Sequence, residues 1–453
     1  MARAKKEAAL TPEERLQAAL VPDWEWPYKL PENWCWTTVG AINQYVGISS
    51  NPTKAKNETF ELYSVPSSAD NYPEIVLGAD IGSTKQSVKK GDVLLCKINP
   101  RINRVWKVSK YTDHSLLASS EWIVVRNSRL ISNYLMWCFR SPYFRGYMLS
   151  NVSGVGGSLM RAQPKFVQGY PVPVPPRAEQ QRIVDRIESL FAKLDEAKEK
   201  AQAVVDSFET RKAAILHKAF TGELTAKWRE EHDVGMESWE HHQFSDLCAI
   251  VRGGSPRPAG DPRYYDGNIP FMKVADITRN DSPYVSKVEY SIKEEGLKKT
   301  RMVEANTLLL TNSGATLGVP AITTIRTTFN DGIAAFIGID IDSLLFYYYF
   351  WMSKTAFLRS INMGAAQPNL NTKLIGEVEI DVPQTAERVE IARVLNALLS
   401  KEQQAKEAAE AVLGQIDLMK KSILARAFRG ELGTNDPSEE SALELLKRIL
   451  ESK

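Results

Sequence analysis

The sequence contains two similar segments, HKAFTGELT at residues 217–225 and ARAFRGELG at residues 425–433, which lie 208 positions apart. The same shift, applied without a gap, aligns Glu179 with Glu387 and continues through to the repeated segments. An ungapped match of this length indicates an internal duplication. The chain therefore has to fold with two copies of one long element, each preceded by a block of its own.

Within the first copy, apolar residues recur alternately four and three positions apart, as in Ile183, Ile187, Leu190 and Leu194. This is the spacing of the buried positions in a coiled coil. Prolines before each copy and a glycine after it are typical of a helix that follows an extended segment and ends in a left-handed cap. Each copy is therefore predicted to be one long helix.

Two positions depart from the apolar pattern: Glu402 stands in the place of Leu194, and Arg211 in the place of Met419. At ~1.5 Å per residue, a helix of about forty residues makes a rod of ~60 Å. Its single narrow apolar seam has to be covered, so we expect the two helices to pair, antiparallel if a twofold axis relates them, with one globular block at each end. The alternative is a coiled coil between two chains that serves only dimerisation, although the duplication extends beyond the helices.

The two blocks that precede the helices resemble each other in outline. Trp34 and Trp239 open them, and KKGDVLL at residues 89–95 parallels VEANTLL at residues 303–309. A polar turn followed by an apolar run predicts a strand in both blocks. An aromatic stretch of helical spacing follows in each, and we interpret it as core rather than as a platform for stacking bases.

Composition limits the class of protein. Charged residues make up 25% and hydrophobic residues 43%, which is the balance of a soluble globular protein. The N-terminal segment lacks the apolar core of a secretory signal, and the most apolar run, residues 344–352, is shorter than the roughly 20 residues that span a bilayer. We therefore expect a cytoplasmic location. Neither a zinc site nor a disulfide framework is expected from the four scattered cysteines, Cys35, Cys96, Cys138 and Cys248.

The net charge of +2 conceals an uneven distribution. Residues 34–174 contain 16 Lys and Arg against 8 Asp and Glu, a net charge of +8, whereas residues 239–381 contain 14 against 16, a net charge of −2. Only the first block therefore has the basic excess of an autonomous polyanion binder.

Several short motifs occur in a fixed order along the chain. They are the helix entries PPRAEQQRI and PQTAERVEI, the helix ends AFTGEL and AFRGEL, and, in the second block, GGSPRP, GNIPFMKVADI and TNSGATLG. With these motifs the chain resembles, over nearly its whole length, the specificity subunit of a type I restriction-modification system. The resemblance implies an α+β fold with two target-recognition domains separated by two long helices, which form an antiparallel coiled coil with pseudo-twofold internal symmetry.

The expected boundaries follow from the duplication and this resemblance. They are an N-terminal helical extension (residues 1–32), target-recognition domain 1 (33–175), a central spacer helix (176–222), a linker (223–238), target-recognition domain 2 (239–383), a C-terminal spacer helix (384–430) and a C-terminal helical tail (431–453). We expect the terminal helices either to dock on partner subunits or to cover the ends of the long helices.

The resemblance also implies a function. Each domain would read one half of a bipartite, asymmetric DNA site, and the helices would set the unread spacer and dock two modification subunits. Those subunits would bind S-adenosylmethionine and methylate adenine in double-stranded DNA, while restriction subunits would use ATP and Mg. This chain would hold no cofactor and no metal. The alternatives are a coiled-coil adaptor that reads no sequence and an orphan specificity subunit that serves a methyltransferase only.

The motifs of the partner enzymes are missing from the sequence, which favours a non-catalytic role. An adenine methyltransferase needs an Asn/Asp-Pro-Pro-aromatic motif, and the nearest match, NPRI at Asn99, lacks both the second proline and the aromatic residue. The sequence also has no G-x-x-x-x-G-K-[ST] phosphate loop.

The best DNA-binding candidate in the first block is CKINPRINRVWKVSK, residues 96–110, directly after the predicted strand. Arginine binds guanine and asparagine binds adenine through paired hydrogen bonds, whereas lysine more often neutralises phosphate. The alternative is a solvated basic loop. The candidate residues are Lys97, Asn99, Arg101, Asn103, Arg104 and Lys107.

The equivalent segment of the second block is TNSGATLGVP, residues 311–320. It offers hydroxyls and an amide around glycines that allow the backbone to approach DNA closely. The alternative is a plain strand-turn-strand. The candidates here are Thr311, Asn312, Ser313 and Thr316, joined less firmly by Ser255, Arg257 and Lys273.

Overall fold

The computed structural model describes residues 11–154, 160–361 and 370–452. The chain forms two compact units, which we call unit 1 (Met1–Lys200 and Ala411–Lys453) and unit 2 (Ala201–Glu410). Each unit contains one sequence block and one part of each duplicated helical segment. The fold is α+β with long helices. Residues 1–10 of the expected N-terminal extension lie outside the described part of the chain.

The first block is built mainly from short strands. Strands β2-β5-β8-β3-β4 form one sheet, in which β3 and β8 are parallel, and β7-β6-β9 form an antiparallel sheet. The central strand of the second sheet, β6, is the predicted strand DVLL, and all four of its residues are buried. The elements are α1 (Pro12–Ala19), β1 (Cys35–Thr38), α2 (Val39–Ile42), β2 (Ser49–Ser50), β3 (Thr59–Tyr63), β4 (Glu74–Leu77), β5 (Lys85–Ser87), β6 (Val93–Cys96), β7 (Val105–Lys107), β8 (Ser115–Ala118), β9 (Trp122–Val125), α3 (Ser132–Arg140), α4 (Pro142–Ser150), β10 (Val152–Ser153), β11 (Arg161–Ala162), α5 (Pro164–Val167) and β12 (Pro171–Val174).

The first long segment is divided into two helices, α6 (Arg177–Asp206) and α7 (Phe208–Phe220), and a short helix, α8 (Ala226–Glu231), follows. The sequence predicted a single helix here. The division falls at Ser207, whose hydroxyl donates a hydrogen bond to the carbonyl of Ala203. A serine hydroxyl bonded back to the preceding turn competes with the helical hydrogen bonds and often bends a helix.

The second block again combines two sheets with short helices. Strands β14-β22-β19-β20-β16 form one sheet and β17-β15-β21-β18 the other. The predicted strand NTLL lies within β19, which is fully buried between β22 and β20. The elements are β13 (Glu240–Gln243), α9 (Phe244–Leu247), β14 (Ala249–Arg252), β15 (Tyr265–Met272), α10 (Val274–Thr278), β16 (Tyr284–Val285), β17 (Tyr290–Ile292), α11 (Glu294–Leu297), β18 (Arg301–Val303), β19 (Thr307–Thr311), β20 (Pro320–Thr323), β21 (Thr327–Phe329), β22 (Ile333–Ile337), α12 (Leu344–Ser360), α13 (Thr372–Gly376) and β23 (Glu379–Val382).

The chain ends with the long helix α14 (Thr385–Ala427) and the short helix α15 (Ala442–Glu451). In α15, Ala442, Leu446 and Ile449 are buried in the same core as Leu16 of α1. The two terminal helices therefore pack on the core of unit 1. Helix α1 begins at a capping box, in which the Thr11 and Glu14 side chains each accept a hydrogen bond from the other residue's backbone N–H.

Each block is closed by pairing between its first and last strands. In the first block β1 and β12 are antiparallel, and in the second block β13 and β23 are antiparallel. The strands β12 and β23 are the proline-bounded segments expected before each long helical segment. The start and the end of each block are therefore held together where the helix begins.

The aromatic stretch of the second block forms core, as the sequence predicted. Phe346, Phe350 and Trp351 of α12 are buried together with Leu216 of α7 and Ile391 of α14. The core of unit 2 thus joins the block to both of the helices that belong to this unit.

A buried carboxylate holds the first turn of α14 in place. Glu387 has no exposed surface, and its side chain accepts hydrogen bonds from Thr225 Oγ1 at 2.7 Å, Arg229 at 2.6 Å and Trp239 Nε1 at 3.0 Å. Thr225 and Arg229 lie just after the end of α7, and Trp239 opens the second block. One carboxylate therefore links the end of one helix, the start of the block and the start of the other helix.

The equivalent carboxylate in unit 1, Glu179 at the start of α6, is also fully buried. It accepts hydrogen bonds from Thr434 Oγ1 at 2.7 Å and Arg182 at 2.8 Å, and Arg182 also binds Glu439. Trp34, which opens the first block, donates its Nε1–H to Asn435 at 3.3 Å. The same three parts of the chain meet here as in unit 2, although the supporting residues differ.

The glycine of each repeated segment has the left-handed conformation that the sequence predicted. Gly222 has φ 79° and Gly430 has φ 74°. A Cβ atom at Gly222 would lie 2.6 Å from the sulfur of Met236, and one at Gly430 would collide with the ring of Pro31. Met236 and Pro31 each stand three residues before the tryptophan that opens a block, so each glycine allows the chain to pack against the start of a block.

Replacing Glu387 by alanine should lower the free energy of unfolding by about 3–5 kcal/mol, the usual cost of removing one partner from a buried ion pair. The substitution leaves the guanidinium of Arg229, whose side chain is only 8% exposed, without its carboxylate. Urea titration followed by tryptophan fluorescence measures the change. The control is Glu377→Ala, which removes one partner of the exposed Lys373–Glu377 pair and should leave the transition in place. Equal effects of the two substitutions would contradict this role of Glu387.

Candidate nucleic-acid interface

The basic segment of unit 1 is a tight loop between β6 and β7. Asn99 has φ 45° and Asn103 has φ 52°, and they flank a short 3₁₀ turn, Pro100–Ile102. Asparagine adopts this left-handed conformation more readily than most residues. The two asparagines therefore fix the shape of the loop, a role that the sequence prediction did not assign to them.

The candidate side chains of this loop differ in accessibility. Arg101 is exposed, whereas Lys97, Asn99, Asn103, Arg104 and Lys107 are partly buried. Asn103 Nδ2 donates to the carbonyl of Arg140 at 3.2 Å, and Lys107 Nζ donates to Asn133 Oδ1 at 2.6 Å. Asn103 and Lys107 are therefore engaged within the protein, and Arg101 is the most accessible of the six.

Two further arginines lie against the loop, and the sequence analysis did not include them. Arg145 of α4 donates a hydrogen bond to the carbonyl of Arg101. Arg161 of β11 pairs through its backbone with Ile98, and its side chain lies 3.4 Å from Glu121. Both residues are distant from the loop in sequence, so the basic excess of residues 34–174 was the only sign of them.

The segment after β7 is held by another buried carboxylate, that of Glu61. The side chain of Glu61 accepts hydrogen bonds from the backbone N–H of Tyr111 and of Thr112, from the Thr112 hydroxyl and from the Tyr63 hydroxyl, at 2.7–3.0 Å. Burial alone would raise the pKa of Glu61, but the hydrogen bonds from Tyr63, Tyr111 and Thr112 outweigh it and lower the pKa. This ionised carboxylate fixes the backbone just beyond the exposed Lys110.

In unit 2, a turn between β21 and β22 brings the separate candidate segments together. Asp331 in this turn accepts a hydrogen bond from the Ser255 hydroxyl at 2.5 Å, and its carboxylate lies 3.8 Å from Arg257. The carbonyl of Asp331 accepts from Arg252 Nε at 2.7 Å. Ser255 and Arg257, which were weak candidates in the sequence, are therefore attached to one carboxylate.

The same turn also meets the other two candidate segments. The backbone N–H of Asn312 donates to the carbonyl of Gly332 at 2.9 Å, and that of Asn330 donates to the carbonyl of Met272 at 3.0 Å, next to Lys273. The ammonium of Lys273 lies 3.1 Å from the centroid of the Tyr290 ring. Asn-Asp-Gly between two apolar runs is a turn signal, but it did not show that three distant segments converge on this turn.

Two candidates of the second loop are buried. Thr311 and Asn312 have no exposed surface, and the Thr311 hydroxyl donates to the Thr316 carbonyl at 2.7 Å and accepts from Val319 N–H at 2.8 Å. Ser313 is partly buried and Thr316 is exposed. Thr311 thus shapes the loop from beneath, and Ser313 and Thr316 are its accessible polar residues.

The described residues offer no cluster of three or more His, Cys, Asp or Glu side chains that would hold a metal ion. All four cysteines are free thiols. Burial raises the pKa of Cys35 and of Cys248 to about 12. Within residues 11–154, 160–361 and 370–452, no helix has the length and apolar character needed to cross a bilayer.

The family model of the type I restriction modification DNA specificity domain matches residues 236–411. This part of the chain resembles a type I restriction-modification specificity domain. The match includes the whole second block, with the Asp331 turn and the segments that meet there, and continues into α14.

Specificity subunits of known type I restriction enzymes are similar to this chain. That of MjaIX from Methanocaldococcus jannaschii is 31% identical over 37% of this chain and 40% of its own length. That of EcoKI from Escherichia coli strain K12 is 21% identical over 93% of this chain and 96% of its own length. The resemblance to type I specificity subunits that the sequence motifs indicated is confirmed.

Two solved structures share the fold. The HsdS subunit from Thermoanaerobacter tengcongensis has a TM-score of 0.68 at 20% identity, covering 90% of this chain and 100% of that chain. A chain solved in a study of complex assembly and conformational transition of the type I R-M system has a TM-score of 0.64 with the same identity and coverage. The likeness to each of these structures extends over 90% of this chain.

The lowered pKa of Glu61 predicts how the first block of this chain responds to acid. Because its pKa in the folded state lies below the unfolded value of ~4.3, Glu61 contributes stability that is complete above that pH and is lost as the pH falls through the folded pKa. Glu61→Gln places an amide N–H donor among other hydrogen-bond donors. It should lower the free energy of unfolding by ~1.5–3 kcal/mol at neutral pH and remove this dependence on acid.

Hydrogen exchange at the amides of Tyr111 and Thr112, measured against pH, tests this prediction. The matched control is Glu58→Gln, because Glu58 is exposed and accepts one hydrogen bond, from Ser115. Unchanged protection of these amides in Glu61→Gln would show that Glu61 does not hold the segment.

Proposed function

We propose that this chain is the DNA-sequence-recognition subunit of a type I restriction-modification complex, in which each block reads one half of a bipartite, asymmetric site in double-stranded DNA. One observation carries the proposal. The two units are closed by equivalent carboxylates, Glu179 and Glu387, yet they present unlike polar loops after the buried strands β6 and β19. Similar frameworks with different loops suit a protein that reads two different sequences in the same way.

In the first block, Arg101 is the principal base-reading residue. It is exposed on a loop whose shape is fixed by Asn99 and Asn103, and its guanidinium can bind guanine O6 and N7. Lys97, Arg104, Arg145 and Arg161 supply positive charge around it for the phosphate backbone. Phosphate contacts position a protein on DNA, while base contacts give specificity.

In the second block, the accessible polar groups around the Asp331 turn form the reading surface. Ser313 and Thr316 offer hydroxyls, Arg257 offers a guanidinium whose side chain is 72% exposed, and Lys273 offers an ammonium. Thr311 and Asn312 support the loop instead of contacting bases, since they are buried. The negative charge of this block indicates that partner subunits supply much of its phosphate neutralisation.

The long helices act as a spacer that fixes how much DNA is left unread. Contacts within each unit support an antiparallel arrangement. In unit 2, Phe208 lies near Lys406 and Leu216 shares a core with Ile391. In unit 1, Phe191 lies near Lys420 and Ile183 shares a core with Ala427. In both units the partner residue number falls as the first number rises, as expected for a pseudo-twofold coiled coil.

The helices also dock two modification subunits, which bind S-adenosylmethionine and methylate adenine, and the complete cytoplasmic complex includes restriction subunits that use ATP and Mg. This chain contributes recognition and no catalysis. The specificity subunits of MjaIX and EcoKI, to which it is similar, are named as parts of type I restriction enzymes.

Substituting one reader should alter one half of the methylated site. Arg101→Ala should relax the base preference at one position of the first half-site and weaken DNA binding by ~1–3 kcal/mol. It should leave the second half-site unchanged. The double substitution Ser313→Ala and Thr316→Ala should change the base preference in the second half-site and leave the first half-site unchanged. The measurement is methylation mapping across the genome of cells that express each variant with the modification subunits.

The control is Arg129→Ala, which removes an exposed arginine of unit 1 outside the loop and should leave both half-sites unchanged. A methylated motif that is the same for Arg101→Ala as for the wild type would exclude Arg101 as a base reader. Changes in both half-sites from a single substitution would exclude the division of reading between the blocks.

A further inference from the structure

The two charged residues that depart from the apolar pattern of the long helices meet each other. Arg211 Nε of α7 donates to Glu402 Oε2 of α14 at 2.7 Å. The pair is largely covered, since the side chains are 34% and 25% exposed. Both residues belong to unit 2. Two departures that stand 191 positions apart in the sequence are therefore one interaction in the structure.

The guanidinium of Arg211 is also held from its own side. It donates to the carbonyl of Val204 at 3.2 Å and to the hydroxyl of Ser207, at the break between α6 and α7. These two groups thus fix its direction towards Glu402. Such a cation cannot turn away to solvent without losing several hydrogen bonds.

The internal duplication shows what the equivalent positions contain. Shifted by 208 residues, Arg211 corresponds to Met419 and Glu402 corresponds to Leu194, both in unit 1. The duplicated helices therefore carry a charged pair of positions in unit 2 and an apolar pair of positions in unit 1. Arg211 and Leu194 lie on the first copy of the helical segment, and Met419 and Glu402 lie on the second copy.

We propose that Arg211 and Glu402 make the two helical segments of one chain select each other, and that they prevent each segment from pairing with the same segment of a second chain. The inference rests on the antiparallel pairing in the proposed function, and it is independent of DNA recognition. Duplicated helices need such a device, because a sequence that pairs with its near-copy can also pair with itself.

The exchanged arrangement would mismatch every one of these positions. If two first segments paired by the same register, each Arg211 would face Leu194 of the other chain. If two second segments paired, each Glu402 would face Met419. Both ion pairs would be lost, and each of the four charged side chains would face an apolar residue instead of its partner. A partly buried charge without a partner is costly, and polar residues in coiled-coil seams are known to specify partners for this reason.

The other charged contacts between the helices discriminate only in part, because two paired second segments would lose them whereas two paired first segments would keep them. Lys420 binds Asp195 at 2.5 Å in unit 1, and its equivalent in the first segment is Lys212, so two paired first segments would keep the attraction between Asp195 and a lysine. Lys406 lies 4.8 Å from the ring centroid of Phe208, and its equivalent is Lys198. Of these three contacts, only the Arg211–Glu402 pair is lost completely on exchange.

The test compares self-association of full-length variants without DNA or partner subunits. Arg211→Met with Glu402→Leu gives unit 2 the residues of the equivalent positions in unit 1 and makes the seam symmetrical. We expect this double variant to remain folded, because apolar replacement of a buried ion pair is often neutral or stabilising. Sedimentation equilibrium should show it associating at least tenfold more tightly than the wild type.

The matched control is the charge exchange Arg211→Glu with Glu402→Arg, which restores an opposite-charge pair and should self-associate as the wild type does. A second kind of dimer pairs the first segment of one chain with the second segment of another chain. Its positions match in the wild type and in both variants, so it contributes equally to the self-association of all three. The proposal is overturned if the apolar double variant self-associates no more tightly than the wild type. It is also overturned if the charge-exchange variant self-associates as tightly as the apolar variant. Methylation mapping is a separate readout, so either proposal can fail alone.

Discussion

The buried carboxylates of Glu179 and Glu387 are the interactions on which the rest of the architecture depends. Each lies in the first turn of a long helical segment and accepts hydrogen bonds from residues that follow the end of the other segment. In unit 2 it also holds the tryptophan that opens the block. A buried charge of this kind is stable only while all its donors are present. The repeated AFTGEL and AFRGEL ends are therefore needed where they are, because the residues after them complete the site of the carboxylate.

This framework leaves the loops beyond β6 and β19 free to differ. In unit 1 the loop carries exposed and partly buried cations held by a pair of left-handed asparagines, and in unit 2 it carries hydroxyls beside a turn organised by Asp331. The first block has an excess of positive charge, whereas the second block has a net charge of −2. The Arg211–Glu402 pair adds a further asymmetry, and it lies in the helices themselves.

The features that depend on repetition or on local spacing could be predicted from the sequence. The 208-residue shift gave the paired helical segments, the strands before them and the left-handed glycines Gly222 and Gly430. Contacts between distant residues could not be predicted. The convergence of Ser255, Asn312 and Met272 on one turn depends on sheet pairing, and the burial of Thr311 depends on the strands around it. The break between the helices lies at Ser207, where the side chain makes a hydrogen bond to the preceding turn. The spacing of apolar residues in the sequence does not indicate such a bond.

If the two blocks are equivalent readers related by a twofold axis, as proposed, each reads DNA independently of the other. Replacing residues 34–174 by a second copy of residues 239–382, with both long segments kept, tests this claim by methylation mapping with the modification subunits. We expect a motif of two inverted copies of the second half-site, separated by the wild-type spacer. A motif that keeps the original first half-site, or that contains two direct copies, would contradict it.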